Sequence, residues 1–262
     1  MFRVVLNFFL LNFIFIFSLI FSKAFADGIF NLPISGPVLN SAWSGTNVSA
    51  GGVINTGNTN SQNINSAVNL SYTKKRWDFT SNDTFNFART EGSGVTASKL
   101  FLSGQAQYNF AIKNYSFLET DYTDDRFDGY QYTLNSIVGY GRRLVNTPKF
   151  NWDVQGGPGF QHAVKNPNEE SSGENQEENN FLLNASSQIS WALSPNANVS
   201  ENLSAVSTQI NTRTISTTAI TANLISQFAM QLSFQAIHDS LPLSGKKNLN
   251  TVSTISLVYT LA

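Results

Sequence analysis

The stretch from Tyr115 to Tyr140, YSFLETDYTDDRFDGYQYTLNSIVGY, reads as two strands joined by a tight polar turn. In its second half Tyr130, Tyr132, Leu134, Val138 and Tyr140 share one parity, with Ser136 the exception. The opposite parity carries Gln131, Thr133, Asn135, Ile137 and Gly139. Alternation over this length is the period-2 signature of a strand with a different environment on each face. Asp128-Gly129 supplies the turn, since glycine takes positive φ without a Cβ clash. The chain is therefore expected to be a sheet with one apolar and one wet face.

Working outward, the same texture recurs. From Trp43 onward about twelve segments can be marked, at 43–56, 62–73, 76–89, 97–112, 114–126, 130–144, 150–164, 181–193, 197–210, 214–228, 231–239 and 249–261. Phe181, Leu183, Ala185, Ile189, Trp191 and Leu193, for example, oppose Asn184, Ser186, Gln188 and Ser190. Alternating segments of about ten residues with aromatic ends form the pattern of a transmembrane β-barrel. The connections agree with it. Even-numbered ones are short: Lys74-Lys75, Lys113, Asn146 to Lys149, Ser194 to Asn196, and a junction near Met230. The long ones, Thr90 to Thr96, Lys165 to Asn180 and Ser240 to Asn248, fall at odd positions, as outer loops should.

The wet face excludes a soluble sandwich, whose interior would be filled by Val, Ile, Leu and Phe. Here the chain has 31 Asn, and the inner positions are mostly Asn, Ser, Thr, Gln and Gly. Each amide buried dry and unpaired costs about 1–3 kcal/mol, a cost that a hydrated lumen avoids. The expected fold is an all-β, antiparallel transmembrane barrel of about twelve strands with a polar lumen, over residues 43–262.

Ahead of it, Arg3, an apolar run from Val4 to Phe21 and Ser22-Lys23-Ala24-Phe25-Ala26 have the layout of a secretory signal peptide, so 1–26 is expected to be cleaved. Residues 27–42, with two prolines and two glycines and no period, form an irregular lead-in. With 16 Lys and Arg against 17 Asp and Glu, and 13% charged residues in all, there is no basic footprint for nucleic acid. The absence of cysteine removes disulfides and thiolate metal sites, and two scattered histidines, His162 and His238, make no metal set. No cofactor is expected. The expected partners are outer-membrane lipid and the barrel-assembly machinery, around a monomer.

Several short motifs occur in order: Trp43-Ser44-Gly45, Thr56-Gly57-Asn58-Thr59, Arg76-Trp77, Asp125-Arg126-Phe127-Asp128-Gly129-Tyr130, Gly139-Tyr140-Gly141, Gly157-Pro158-Gly159 and His238-Asp239-Ser240-Leu241-Pro242. As a set they resemble the YdiY-like, salt-induced outer-membrane protein family, whose domain has no assigned function. The resemblance implies a Gram-negative outer-membrane barrel, a link to osmotic or salt conditions, and no substrate.

The densest charge lies at Glu119, Asp121, Asp124, Asp125, Arg126 and Asp128. Alternation puts Glu119, Asp121 and Asp125 on the lumen face, with Arg143 and Asp153 at lumen parity on the next two strands. These five are the filter candidates: an ionic lining selects solutes or holds a hard cation. The competing expectation is a charge network that braces the wall, because arginine pairs with carboxylates without any ligand. His238 and Ser240, two apart on one strand face, offer an alternative as a lipid-modifying hydrolase, although no acidic residue follows Asp239 to orient the histidine. The acidic 165–180 loop offers a third, as a surface binding module. Asp83 fits badly, sharing parity with Trp77, Phe79, Phe85 and Phe87; a bulge near Ser81-Asn82, or a place two-thirds of the way up the wall, would relieve it. The expectation for function is a structural protein or passive small-solute pore, not an enzyme.

Overall fold

The structure, a computed structural model, describes residues 43, 45–55, 61–125, 130–165, 177–242 and 247–260. The expected signal and lead-in, the turns at 56–59 and 126–129, and residues 166–176 of the acidic loop lie outside the described residues. Twelve strands follow in order. They are β1 (Asn47–Asn55), β2 (Ser61–Lys74), β3 (Trp77–Thr90), β4 (Gly94–Tyr108), β5 (Asn114–Asp125) and β6 (Tyr130–Asn146). The second half comprises β7 (Phe150–Lys165), β8 (Glu177–Ser194), β9 (Ala197–Thr208), β10 (Thr212–Ile225), β11 (Phe228–Asp239) and β12 (Leu249–Thr260). Each is antiparallel to its sequence neighbours, and β1 pairs with β12 from Asn47↔Thr260 to Gly51↔Ser256. The sheet is closed, so no edge is left to be satisfied in lipid.

All twelve expected strands are present, with several ends shifted: β1 starts at Asn47 instead of 43, and β4 runs from Gly94 to Tyr108 instead of 97 to 112, so the long connection expected at Thr90 to Thr96 is only residues 91–93. The junction placed near Met230 lies at Ser226-Gln227, and Met230 is inside β11. Its sequence, Leu224-Ile225-Ser226-Gln227-Phe228, has no Gly, Pro or Asn to mark a turn; Ser226 itself adopts φ 48°. β8 begins at Glu177, four residues before its apolar alternation starts, because backbone pairing with β7 continues through Glu177↔Val164. At the other end, the turn between β3 and β4 uses Gly92 and Gly94 at φ 83° and 74°.

The outward face is the apolar one. Leu118, Val138, Phe160, Leu183, Ile220, Leu232, Ile255 and Leu257 are all exposed, as lipid-facing side chains of a barrel are. Aromatic rings gather at both ends of this belt. At the short-turn end Trp77 meets Tyr108 (centroids 5.0 Å apart) and Phe228 meets Tyr259 (5.0 Å). At the loop end Tyr122 stacks on Tyr132 (5.8 Å), which contacts His162, while Phe160 meets Phe181 edge-on. Two girdles around an apolar band, on strands mostly of 12 to 18 residues, make this a transmembrane barrel. Among the described residues no helix is long and apolar enough to cross a membrane.

The inner wall is polar over most of its extent but not everywhere. Tyr115, Phe117, Ile137 and Leu182 point inward and pack together, with Val206 beside them. Facing these rings the wall is glycine: Gly141 pairs with Tyr115 and Gly139 with Phe117 across β5 and β6. A Cβ on Gly141 would lie 2.1–2.4 Å from the Tyr115 ring, and one on Gly139 would lie 2.6 Å from Phe117. Both rings therefore lie flat along the wall on a glycine floor instead of standing into the lumen.

Candidate functional site: the charged wall of the lumen

Charge in the lumen is gathered on β3 to β7. Near the short-turn mouth the Arg143 guanidinium stands 3.6 Å from Asp78 on β3 and 3.9 Å from Asp153 on β7. It also lies over the Tyr115 ring, 5.1 Å from its centroid, and donates to the Ile112 carbonyl. The Tyr115 hydroxyl donates to Asp153 and is 3.2 Å from Gln155 Oε1. Gln155 then donates to Glu119 (3.4 Å) and accepts from Gln105 (3.0 Å). Asp78 in turn accepts from Gln107 and Asn109. Five strands thus share one network of charged and amide groups, which holds long side chains in fixed positions.

A second string runs straight around the wall through register partners. Asn135 donates to Asp121 (2.8 Å), Gln161 to Asn135 (3.1 Å) and Asn180 to Gln161 (3.5 Å). Of the five residues expected to line the lumen, Glu119, Arg143 and Asp153 join the mouth network and Asp121 heads this string. Asp125 sits apart at the loop end, in an ion pair with Lys99 (3.4 Å). Asp78, Gln105, Gln107, Tyr115 and Gln155 were not among the expected site residues. For Tyr115 the signal was available, because it shares odd parity with Glu119 on one strand.

The wall opposite, made by β8 to β12 with β1 and β2, is different. Its inward positions at mid-height are hydroxyls, amides and small apolar groups, such as Ser200, Asn202, Thr217, Ala219, Gln231 and Ser233. At mid-height the lumen therefore has an ionic side and a neutral side, while Glu178, Arg213 and Asp239 bring charge to the loop end of the latter.

Residues 48–261 match the family model described as "Protein of unknown function, DUF481". The chain belongs to the DUF481 family. This DUF481 barrel is similar to the uncharacterized protein YdiY of Escherichia coli (strain K12), with 23% identity over 221 residues and 82% of each chain covered. Among solved structures it is similar to the NanC porin, at 9% identity and a TM-score of 0.54, covering 82% of this chain and 99% of that one. That likeness is one of fold. Closure, belt and girdles place the DUF481 barrel in the bacterial outer membrane.

Outside the lumen, His238 has outward parity at the loop end, paired with Thr214, and Ser240 follows just beyond the end of β11. The Ser240 hydroxyl, however, donates to Asn211 Oδ1 (2.9 Å) and accepts from the Thr212 backbone N–H (2.8 Å). Its proton is directed at an amide that ties two loops together. Asp239 points inward, accepting from Asn211 and standing 3.4 Å from Arg213.

Asp83 keeps outward parity. Pairing on both sides of β3 is continuous through Ser81, Asn82 and Asp83, so the expected bulge is absent there. The Ser81 hydroxyl lies 3.2 Å from both carboxylate oxygens instead. Glu201 on β9 is a second outward carboxylate, held by the hydroxyls of Ser216 (2.7 Å) and Thr218 on β10. In each case a neighbouring hydroxyl supplies the hydrogen bond that lipid cannot.

Proposed function

We propose that this DUF481 barrel is a passive pore for small hydrophilic solutes that favours cations over anions. The carrying observation is the two-sided lumen below its loop-end rim: four carboxylates, Asp78, Glu119, Asp121 and Asp153, face a single arginine on one wall, and at mid-height the other wall presents hydroxyls, amides and small apolar groups. Excess negative charge in a confined aqueous path raises the local cation concentration. In this role Glu119, Asp121 and Asp153 set the lumen field, Arg143 offsets part of it, and Asp125 with Lys99 conditions the loop-end mouth. The barrel works as a monomer with outer-membrane lipid and reaches the membrane through the assembly machinery. A response to salt or osmotic change is the physiological setting that the family resemblance suggests. Catalysis by His238 and Ser240 is disfavoured by the commitment of the serine hydroxyl to Asn211.

The test is single-channel recording of the refolded chain in a planar bilayer under a salt gradient. The expected result is stable steps with a cation-selective reversal potential. Glu119→Gln and Asp121→Asn should each move that potential toward zero. A well-inserted barrel that stays silent, and stays silent when Arg143 is replaced by Gln, sinks the pore reading.

A further inference from the structure

The lumen contains one place where groups are stacked inward from the wall in layers. Gly141 is the outermost layer, with no side chain. The Tyr115 ring lies against it, so close that a Cβ there would overlap ring atoms at 2.1–2.4 Å. Next inward comes the Arg143 guanidinium, 5.1 Å above the ring. Tyr115 is only 3% exposed, so the platform is fixed by packing, and its hydroxyl is anchored on Asp153, the same carboxylate that flanks Arg143. Asp78, three strands from Arg143 around the wall, closes the other side. An arginine on β6 that meets carboxylates on both β3 and β7 extends over the intervening strands, across the lumen side of β4 and β5. A guanidinium held by two carboxylates and a ring face has little freedom to swing clear.

We propose that Tyr115, seated on Gly141, is the positioning residue for Arg143, and that the guanidinium clamped between Asp78 and Asp153 is the element that limits and selects flow at the short-turn mouth. This rests on the pore reading and assigns its selectivity to one layered unit. Phe117 lies on Gly139 in the same manner but carries no charged layer. The flat rings therefore leave this part of the bore clear, and Arg143 reaches across it.

The experiment compares wild type with Arg143→Gln, Tyr115→Phe, Tyr115→Leu and, as a control, Lys99→Gln at the other mouth. Folding of each variant is checked by heat-modifiable migration on gels. Arg143→Gln should raise conductance and raise the cation-to-anion permeability ratio by a factor of about 3, the weight of one unit charge felt across several ångströms of water. Tyr115→Leu removes the platform and should shift the ratio in the same direction with the arginine still present. Tyr115→Phe keeps the ring and should fall between it and wild type. Lys99→Gln removes the same charge and should change the ratio less than Arg143→Gln does. If Arg143→Gln matches Lys99→Gln, or Tyr115→Leu behaves as wild type, the assignment is overturned while the pore reading stands. A silent wild type with a conducting Arg143→Gln supports the clamp and makes it a closed gate. If all folded variants are silent, the pore reading fails and the assignment fails with it.

Discussion

Replacing Gly139 by alanine separates ring packing from backbone packing on the inner wall. The new methyl would lie 2.6 Å from Cε1 and Cζ of Phe117 and 2.4 Å from the Gly156 carbonyl oxygen. These neighbours differ in what can yield. The Phe117 ring can swing toward the lumen, giving up contacts with Tyr115, Ile137 and Leu182, whereas the Gly156 oxygen belongs to β7 in the β6–β7 ladder. Overpacking of this kind costs about 1–3 kcal/mol, and with backbone involved Gly139→Ala should lie in the upper half of that range. Phe117→Ala alone should cost about 3 kcal/mol, the low end for a buried phenylalanine, since water in the bore can occupy part of the space. In the double variant the ring clash is gone and only the carbonyl clash remains. It should therefore be less destabilised than the sum of the singles by about 1 kcal/mol or more. Urea unfolding of the barrel in lipid vesicles, followed by tryptophan fluorescence and by gel migration, reads all four corners of the cycle. Additivity within about 0.5 kcal/mol would refute the flat-ring arrangement, because it would mean that methyl and ring do not meet.

Four further outcomes follow from the outward face and the turns. Asp83→Leu should stabilise the barrel by about 1–2 kcal/mol in the same unfolding assay, since it removes a lipid-facing carboxylate held by the Ser81 hydroxyl and the Ser103 backbone; a loss of stability would show that these hydrogen bonds outweigh the cost of the carboxylate in lipid. Ser216→Ala combined with Thr218→Val strips Glu201 of both donors and should destabilise by about 1–3 kcal/mol, and adding Glu201→Leu should recover most of it. Lys75→Gly should leave folding intact and gain up to about 1 kcal/mol, because Lys75 holds φ 58° in a tight turn; a clear loss would argue that its side chain is anchored. Ser240→Ala should cost about 1 kcal/mol through the lost tie to Asn211, with phospholipid-ester hydrolysis at background before and after the change. Wild-type hydrolysis that vanishes in the variant would reinstate the hydrolase reading.

How far the sequence reveals this molecule depends on which face is read. The outward face was legible because lipid imposes a uniform demand. Leu118, Val138 and Ile255 stand where alternation puts them, but the connections were legible only in part: the long one expected at Thr90 to Thr96 spans only residues 91–93, fewer than residues 109–113 between β4 and β5. The strand ends were less so. Ser226-Gln227 turns without a glycine, proline or asparagine, and the pairing of Glu177 with Val164 is a property of two strands, invisible in either. Within the lumen, parity alone brings Glu119, Asp121, Arg143 and Asp153 to one face, and the register puts Arg143 opposite Asp153. It could not show that Arg143 reaches Asp78, because that contact crosses β4 and β5 and depends on the curvature of the closed sheet. Nor could it assign Gly139-Tyr140-Gly141 a task. Those glycines look like turn signals in a linear reading, and only the register across β5 shows that each lies under a ring.

The asymmetry between the faces bears on where function should be sought in such a barrel. A residue facing lipid must be apolar or bring its own hydrogen-bond donor, so polar groups there are informative wherever they occur, as at Asp83 and Glu201. A residue facing a hydrated bore is constrained much less, since Ser, Thr, Asn and Gln are all satisfied by water. The informative inner positions are therefore the departures from that background: an aromatic ring, a glycine that admits it, and a charge held by partners several strands away. Among the described residues only β5 to β7 combine all three. Tyr115 with Gly141 beneath it and Arg143 above it meets the condition; Phe117 with Gly139 lacks the charge, and Asp125 with Lys99 lacks the ring. If the neutral wall were the selective one, substitutions at Asn202 or Gln231 would change permeation more than those at Arg143, and recordings from these three variants would decide between the walls.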